Sequence, residues 1–563
     1  MVSLAAGTSL ASARTPSVSR VPPEILHEIF LRHPGYADAE VTSFKNGHRC
    51  IKDTDCGPLC WAVVSHVCRR WRAVALHSPS LWTRLTVSPH PEWMAELLHR
   101  SAKLPLQITA NLDQEDLREE RGESFELVLR QLSRIRDLFF ASLRPLRHEA
   151  VKLMAGAAPL LQILVIGGSP VQSRIEEGQF DNDYIYFPAL LHHEKSPRLE
   201  RLEVRGAFHG INLYGPCAST LKHLSFRTII PHLPWPNVSA FLDVLSMLPS
   251  LETVALERHV LEPPPFEWLN LTDVRLPHLH TLNLHTTASE CTVLLLHLDL
   301  PALSSLGLSA VYTFDSVDTL VPAIASKISG LDAPRALYVK GFGKDEDPGA
   351  LEVSGFVGPA ADCLEWSTRS FDVVLKDCYD HAEALTEICK RISLKDVSTL
   401  DVEGEDVPSE AWLDMAEQMD SLVYLSVTGA YAIAGLPEML LAERTLSPEL
   451  EGANEDEGGG EEEALSERLY LPNLTNIYIY DACLGRRSDH DAGQPGPWVE
   501  HMCQALKVRD EAKVGPAQVH FDDCSNVNQA MFAALEDTEV MVDFVRSNDS
   551  VRNADDWEWF MPV

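Results

Sequence analysis

At 563 residues the chain is too long for one ordinary core, so it requires several domains or an extended repeat array. Its 45% hydrophobic and 23% charged residues match a folded protein, not a disordered one. The net charge of −35, from 82 acidic and 47 basic residues, repels phosphate backbones and anionic membranes and argues against both as partners.

Residues 1–20 contain no acid and only Arg14 and Arg20, without a clean apolar run, and read as a disordered tail, with an organellar transit peptide as the alternative. No stretch approaches the ~18 apolar residues of a membrane span. The most apolar one, 293–300, is interrupted by His297 and Asp299. The 12 cysteines are scattered, as expected of reduced thiols in the cytoplasm or nucleus.

A first helix is expected where Pro22-Pro23-Glu24 precedes Ile25, Leu26, Ile29 and Phe30, apolar residues at helical spacing. A polar stretch, 34–58, reads as a loop insertion. Beyond it, Val63, Val64, Val67, Cys68 and Trp71 recur as a second amphipathic helix, and Leu81-Trp82 follows Pro79. A module this small buries too little apolar surface to stand alone, so a neighbouring segment or a partner must cover it.

The segment resembles the F-box of fungal, basidiomycete-type, F-box proteins. The elements that carry the likeness are Val21-Pro22-Pro23-Glu24-Ile25-Leu26, Val67-Cys68-Arg69-Arg70-Trp71-Arg72 and Ser80-Leu81-Trp82. Valine at position 21 replaces the usual leucine, and the inter-helix connection is longer than usual. The resemblance implies a module over 21–85 that docks on the Skp-type linker of a cullin-RING ubiquitin ligase. It implies a docking face built from Pro22, Pro23, Ile25, Leu26 and Ile29, with Val64, Val67 and Trp71 as further contacts.

After residue 100 a second grammar begins: an optional proline, an apolar anchor, two free positions, then two apolar residues one position apart. It fits Leu161/Leu164/Ile166, Leu199/Leu202/Val204, Leu251/Val254/Leu256, Leu279/Leu282/Leu284 and Leu303/Leu306/Leu308. Further copies are Ile135/Leu138/Phe140, Leu221/Leu224/Phe226, Val397/Leu400/Val402, Leu422/Leu425/Val427 and Leu474/Ile477/Ile479. The anchors at 199, 221, 251, 279 and 303 are roughly 20 to 30 residues apart, the period of leucine-rich repeats.

Each copy predicts a short strand whose apolar pair faces the core, with proline at its first position and a helix such as 241–248 behind it. The expected fold class is therefore α/β: an N-terminal α-helical module, then a leucine-rich-repeat-like solenoid over 100–545, with parallel strands backed by helices. From 311 to 394 the phase is illegible, with Leu337, Val339 and 373–375 as fragments. An acidic insertion, 443–467, is expected to be disordered. A tail, 546–563, carries Trp557, Trp559 and Phe560 as a cap.

Residues beside the inward pairs should project onto the opposite, concave surface and contact a target. These are Glu203, Arg205, Arg227, Glu257, Asn283, His285, Asp401, Glu403, Tyr478 and Tyr480. No catalytic residue, cofactor or metal is assigned. His27-Glu28 lacks a second histidine four positions on. His48, Cys50, Cys56, Cys60 and His66 could gather around zinc, but their spacing is not that of a finger, and they read as incidental thiols and imidazoles. Gly341-Phe342-Gly343-Lys344 lacks the register of a phosphate loop and reads as a turn.

The expectation is thus a non-catalytic adaptor. It would be the substrate-recognition subunit of an SCF-type ligase, linked through the Skp-type protein to a cullin and binding an unknown target protein. The alternatives are an interaction scaffold outside ubiquitination and an enzyme whose site assembles from distant residues.

Overall fold

The computed structural model describes residues 21–32, 44–45, 48–49, 60–112, 118–142, 146–167, 194–205, 220–227, 238–257, 271–311, 317–341, 349–357, 369–378, 381–404, 407, 409–429, 432–443, 469–484, 496–527, 529–538 and 540–545. The chain is mixed α/β and divides into two compact units, Met1–Pro234 and Trp235–Val563.

The first unit opens with α1 (Pro23–Leu31), α2 (Val64–Val67) and α3 (Arg69–Leu76). Proline in the first turn and Glu24 start α1, where a missing amide costs nothing and the positive helix end favours an acid. Leu26 and Phe30, one turn apart, are fully buried, and the Phe30 ring packs on Trp71 with centroids 5.2 Å apart.

The expected single second helix breaks at Cys68, which is extended and whose Sγ accepts the Trp71 amide at 3.5 Å, capping α3. His27 Nε2 meets Ser80 Oγ at 3.1 Å, a structural contact. Within the stretch expected to be a loop, Phe44–Lys45 pairs antiparallel with His48–Arg49. The rest of 33–59 lies outside the described residues, as do the tails 1–20 and 546–563 and the acidic stretch 444–468.

Trp82 Nε1 donates to Ala75 O at 2.9 Å, which ties Trp82 to α3. Arg100, at the end of α4 (Pro91–Arg100), lies over the Trp82 ring at 4.6 Å and the Trp93 ring at 5.3 Å while pairing with Glu96. The front helices are therefore joined through Trp82 to α4, the helix that connects the first two strands of the sheet.

That sheet begins at residue 84, earlier than the expected 100. Its strands are β1 (Arg84–Thr86), β2 (Leu106–Asn111), β3 (Ile135–Ala141), β4 (Ile163–Gly167), β5 (Arg201–Arg205) and β6 (His223–Arg227), each parallel to the next. Register aligns Leu85, Ile108, Leu138, Leu164, Leu202 and Leu224 in one ladder. Ala110, Phe140, Ile166, Val204 and Phe226 form a second.

The second unit carries β7 (Thr253–Glu257), β8 (Thr281–Thr287), β9 (Ser305–Val311), β10 (Ala336–Gly341), β11 (Gly349–Phe356) and β12 (Arg369–Cys378). It continues with β13 (Thr399–Gly404), β14 (Tyr424–Thr428), β15 (Asn476–Tyr480), β16 (Gln518–Asp522) and β17 (Met541–Val545). All neighbours are parallel except around β11, which runs antiparallel to both β10 and β12. The illegible stretch is this meander: β12, not β10, pairs with β9, and β10 pairs with β13.

The backing helices Val317–Ile328 and His381–Arg391 still pack side by side. The meander therefore adds strands without interrupting the helix layer. Gly355 makes it possible, since a Cβ there would collide with the buried Phe371 ring on β12.

All ten aliphatic pairs read from the sequence lie in parallel strands, and every one of their side chains is at most 2% exposed. The prolines, however, do not start strands. Pro159, Pro197, Pro249, Pro277, Pro301 and Pro472 each sit second in a turn in which the anchor three residues after the turn's first residue donates its amide back to that residue's carbonyl. Examples are Leu161 N to Ala158 O at 3.0 Å, Leu251 N to Leu248 O at 3.2 Å and Leu474 N to Leu471 O at 3.2 Å. Proline's fixed φ suits that turn position and its missing amide is not needed there.

Arg509, on the helix Pro497–Glu511, is 0% exposed. Its guanidinium donates to the carbonyls of Gly515 (2.5 Å), Leu471 (2.7 Å), Tyr470 (2.9 Å) and Leu440 (3.2 Å), and among the described residues no carboxylate pairs with it. Burial lowers its pKa to about 10, so it stays charged at neutral pH. Arg509→Met should lower the urea midpoint, a loss on the order of 3 kcal/mol, because buried carbonyls lose their donors. An unchanged midpoint would show that water can replace the guanidinium.

Candidate functional site

Helical spacing puts Ile25 and Ile29 on one face of α1 and Leu26 and Phe30 on another. The structure exposes the first pair, at 51% and 48%, together with Pro22 and Pro23. Leu26, expected on the docking face, is instead core, as is Val64 at 5%. Both hold the module together and present no surface, since the apolar stripe is wider than the contact with α3. Val67 is 59% exposed, and Trp71 is half-buried against Phe30. Sequence reasoning missed Val63, 56% exposed beside this pair and not distinguishable from it by hydropathy.

On the opposite face of the first sheet the expected contact residues are not presented. Glu203 and Arg205 are buried and bond to each other, with Arg205 Nε to Glu203 Oε1 at 2.6 Å and Arg201 completing the pair at 3.2 Å. Beside them Phe139 and Val165 form a buried apolar cluster with Ala141 and Ile163. Strands β3 and β4 are continuously apolar, 138–140 and 164–166, the pattern of strands buried on both sides. That run was the signal to read. Arg227, at the end of β6, is half-buried.

The second sheet alternates buried and half-exposed residues, and Glu257, Asn283, His285, Asp401, Glu403, Tyr478 and Tyr480 all fall on the half-exposed side. Register puts Tyr338, Asp401, Ser426, Tyr478 and His520 in one row, and Lys340, Glu403, Thr428, Tyr480 and Asp522 in the next. Asn283 lies across Gly307, filling the space a side chain there would need.

Glu403 accepts from Lys340 Nζ at 2.5 Å and Tyr338 Oη at 2.6 Å. Burial alone would raise its pKa, but those donors and the lysine charge outweigh it and hold the carboxyl below its ordinary value. Burial and the Glu403 carboxylate push the Tyr338 phenol well above its usual range, so it remains a donor. Asp401 accepts from Ser426 at 2.9 Å, yet burial, with the nearby Glu403 charge, raises its pKa. Tyr478 and Tyr480 lie nearly parallel, 6.4 Å apart, and His520 packs on Tyr478 at 5.6 Å. Donors, carboxylates and ring faces laid out in rows can recognise a polar chain.

Among the described residues no three His, Cys, Asp or Glu are placed to hold a metal. Cys50 and Cys56 of the suggested zinc group lie outside those residues, as does 342–348 after Gly341. Also among the described residues, no helix is long and apolar enough to cross a membrane, and Cys68, Cys291, Cys389, Cys483, Cys503 and Cys524 are free thiols.

Leu26→Ala should cost about 2 to 5 kcal/mol of stability and Ile25→Ala within about 0.5 kcal/mol, a contrast that denaturant melts will read. A second expectation concerns pH. A carboxyl whose folded pKa lies above its unfolded one holds its proton more tightly when folded, so stability falls as pH rises through that interval. Asp401→Asn should therefore raise the unfolding midpoint at pH 7. The gain should fade toward pH 3, where the native carboxyl is neutral, and a pH-independent gain would mean another cause.

No curated protein matches the chain. Residues 18–88, which contain α1 to α3, Trp82 and β1, match the family model described as F-box-like. The chain thus carries, ahead of its parallel-strand sheets, an N-terminal helical region similar to F-box-like domains.

Proposed function

We propose that this chain is the substrate-recognition subunit of an SCF-type cullin-RING ubiquitin ligase. The front helices dock on the Skp-type linker, and the sheets behind them, read as a degenerate leucine-rich-repeat solenoid, hold a target protein. The observation that carries this reading is the pair Ile25 and Ile29, half-exposed on a helix whose other face is fully packed, inside the region that matches the F-box-like model. An apolar helix stripe left open beside a packed core is the usual form of a helix-mediated contact.

The chain would contribute no chemistry of its own. Its part is to hold a target near the transferring subunits, which raises the effective concentration of the acceptor. The Arg100 clamp on Trp82 and Trp93 supports this role, because it ties the docking helices to the first unit of the chain and keeps the module from acting as a loose appendage. Free thiols fit work in the reducing cytoplasm or nucleus. A second reading, a scaffold that acts outside ubiquitination, is favoured by the long connection between α1 and Cys60.

Co-purification separates these readings. Tagged chain should recover the linker and, through it, a cullin; Ile25→Asp with Ile29→Asp should cut linker recovery about tenfold or more while leaving the melting curve intact. Linker without cullin would favour the scaffold. Linker recovery that ignores the substitutions would sink the docking assignment.

A further inference from the structure

We propose that the half-exposed face of the second sheet, from Tyr338 on β10 to His520 and Asp522 on β16, takes an extended arginine- or lysine-bearing segment of the target. The inference rests on the reading of this chain as a target receptor and names the chemistry of what it receives. Five strands contribute two aligned rows: Tyr338, Asp401, Ser426, Tyr478 and His520, then Lys340, Glu403, Thr428, Tyr480 and Asp522. At ~4.8 Å between strands each row spans roughly 19 Å, the length of about six extended residues.

Two cations on this face are already engaged. Lys340 pairs with Glu403, and Arg369 pairs with Asp372 at 2.7 Å and Glu352 at 4.0 Å. Among the described residues no cation pairs with Asp401 or Asp522, which sit on either side of the parallel Tyr478 and Tyr480 rings. Ring faces attract cations, and carboxylates beside them supply the opposite charge and the hydrogen-bond acceptors.

An anionic or purely apolar segment would meet carboxylates it could not neutralise.

The test uses the purified full-length chain and a fluorescein-labelled eight-residue peptide alternating arginine with glycine, followed by anisotropy at low and physiological salt. A glutamate version of the peptide is the control. The arginine peptide should bind and the glutamate peptide should not. Asp401→Asn with Asp522→Asn, and separately Tyr478→Ala, should each weaken binding about tenfold or more. Glu410→Gln with Glu417→Gln, the same change in charge on the helix Ser409–Gln418, should leave it unchanged.

Absence of arginine-peptide binding, or equal weakening by the two double substitutions, overturns the inference. Linker capture by the same preparations reads the receptor proposal separately. A chain that holds the linker but ignores the arginine peptide overturns only the cationic-segment inference.

Discussion

Parallel register is the constraint on which the rest depends. A strand that rises about 3.3 Å per residue puts every second side chain on one face, and each strand here is too short to close a core. Burial is achieved only because neighbours align without slipping: Val254 meets Leu282, Leu282 meets Leu306, and Leu400 meets Leu425, which meets Ile477. A shift of one residue would send Leu425 and Val427 to the open side and bring Ser426 and Thr428 into the core. The proline-containing turns before the strands fix that register, since each delivers the anchor amide to a set carbonyl before pairing begins. Arg509 does the same for the region around β15, where one guanidinium gathers carbonyls from three separate segments.

Because register follows from side-chain pattern, most of the sheet was legible in the sequence, and the failures have physical causes. Strands β2, β10 and β16 carry proline at the anchor position, as Pro105, Pro334 and Pro516, so a search for aliphatic anchors passes over β2 and β16 and finds only a fragment of β10. The meander from β10 to β12 replaces a helix with a returning strand. Its apolar residues keep the strand period but lose the repeat period, and periodicity alone cannot show that β12 lies beside β9.

The candidate sites were legible to a lesser depth. Hydropathy marks Ile25, Leu26, Ile29 and Phe30 as one stripe, and only the position of α3 decides that Leu26 and Phe30 are inside. Alternation similarly predicts which strand residues leave the core but not what meets them. In the first unit that second face is itself apolar, at Phe139 and Val165, and Glu203 and Arg205 neutralise each other beneath the surface. A charged residue within a continuously apolar neighbourhood is better read as a buried pair than as a contact.

The second sheet differs because its polar rows are only partly self-neutralised: Lys340 pairs with Glu403, while among the described residues no cation pairs with Asp401 or Asp522. A fold selected only for stability would not keep Asp401 where burial and Glu403 both disfavour its charge, when a neutral amide could hold the same bond to Ser426. Such a cost is small beside the apolar ladders, so the sheet can carry it. Core and face therefore place separate demands on the same strands: alternate positions fix the register, and the fixed register holds Tyr338, Asp401, Tyr478 and His520 in line.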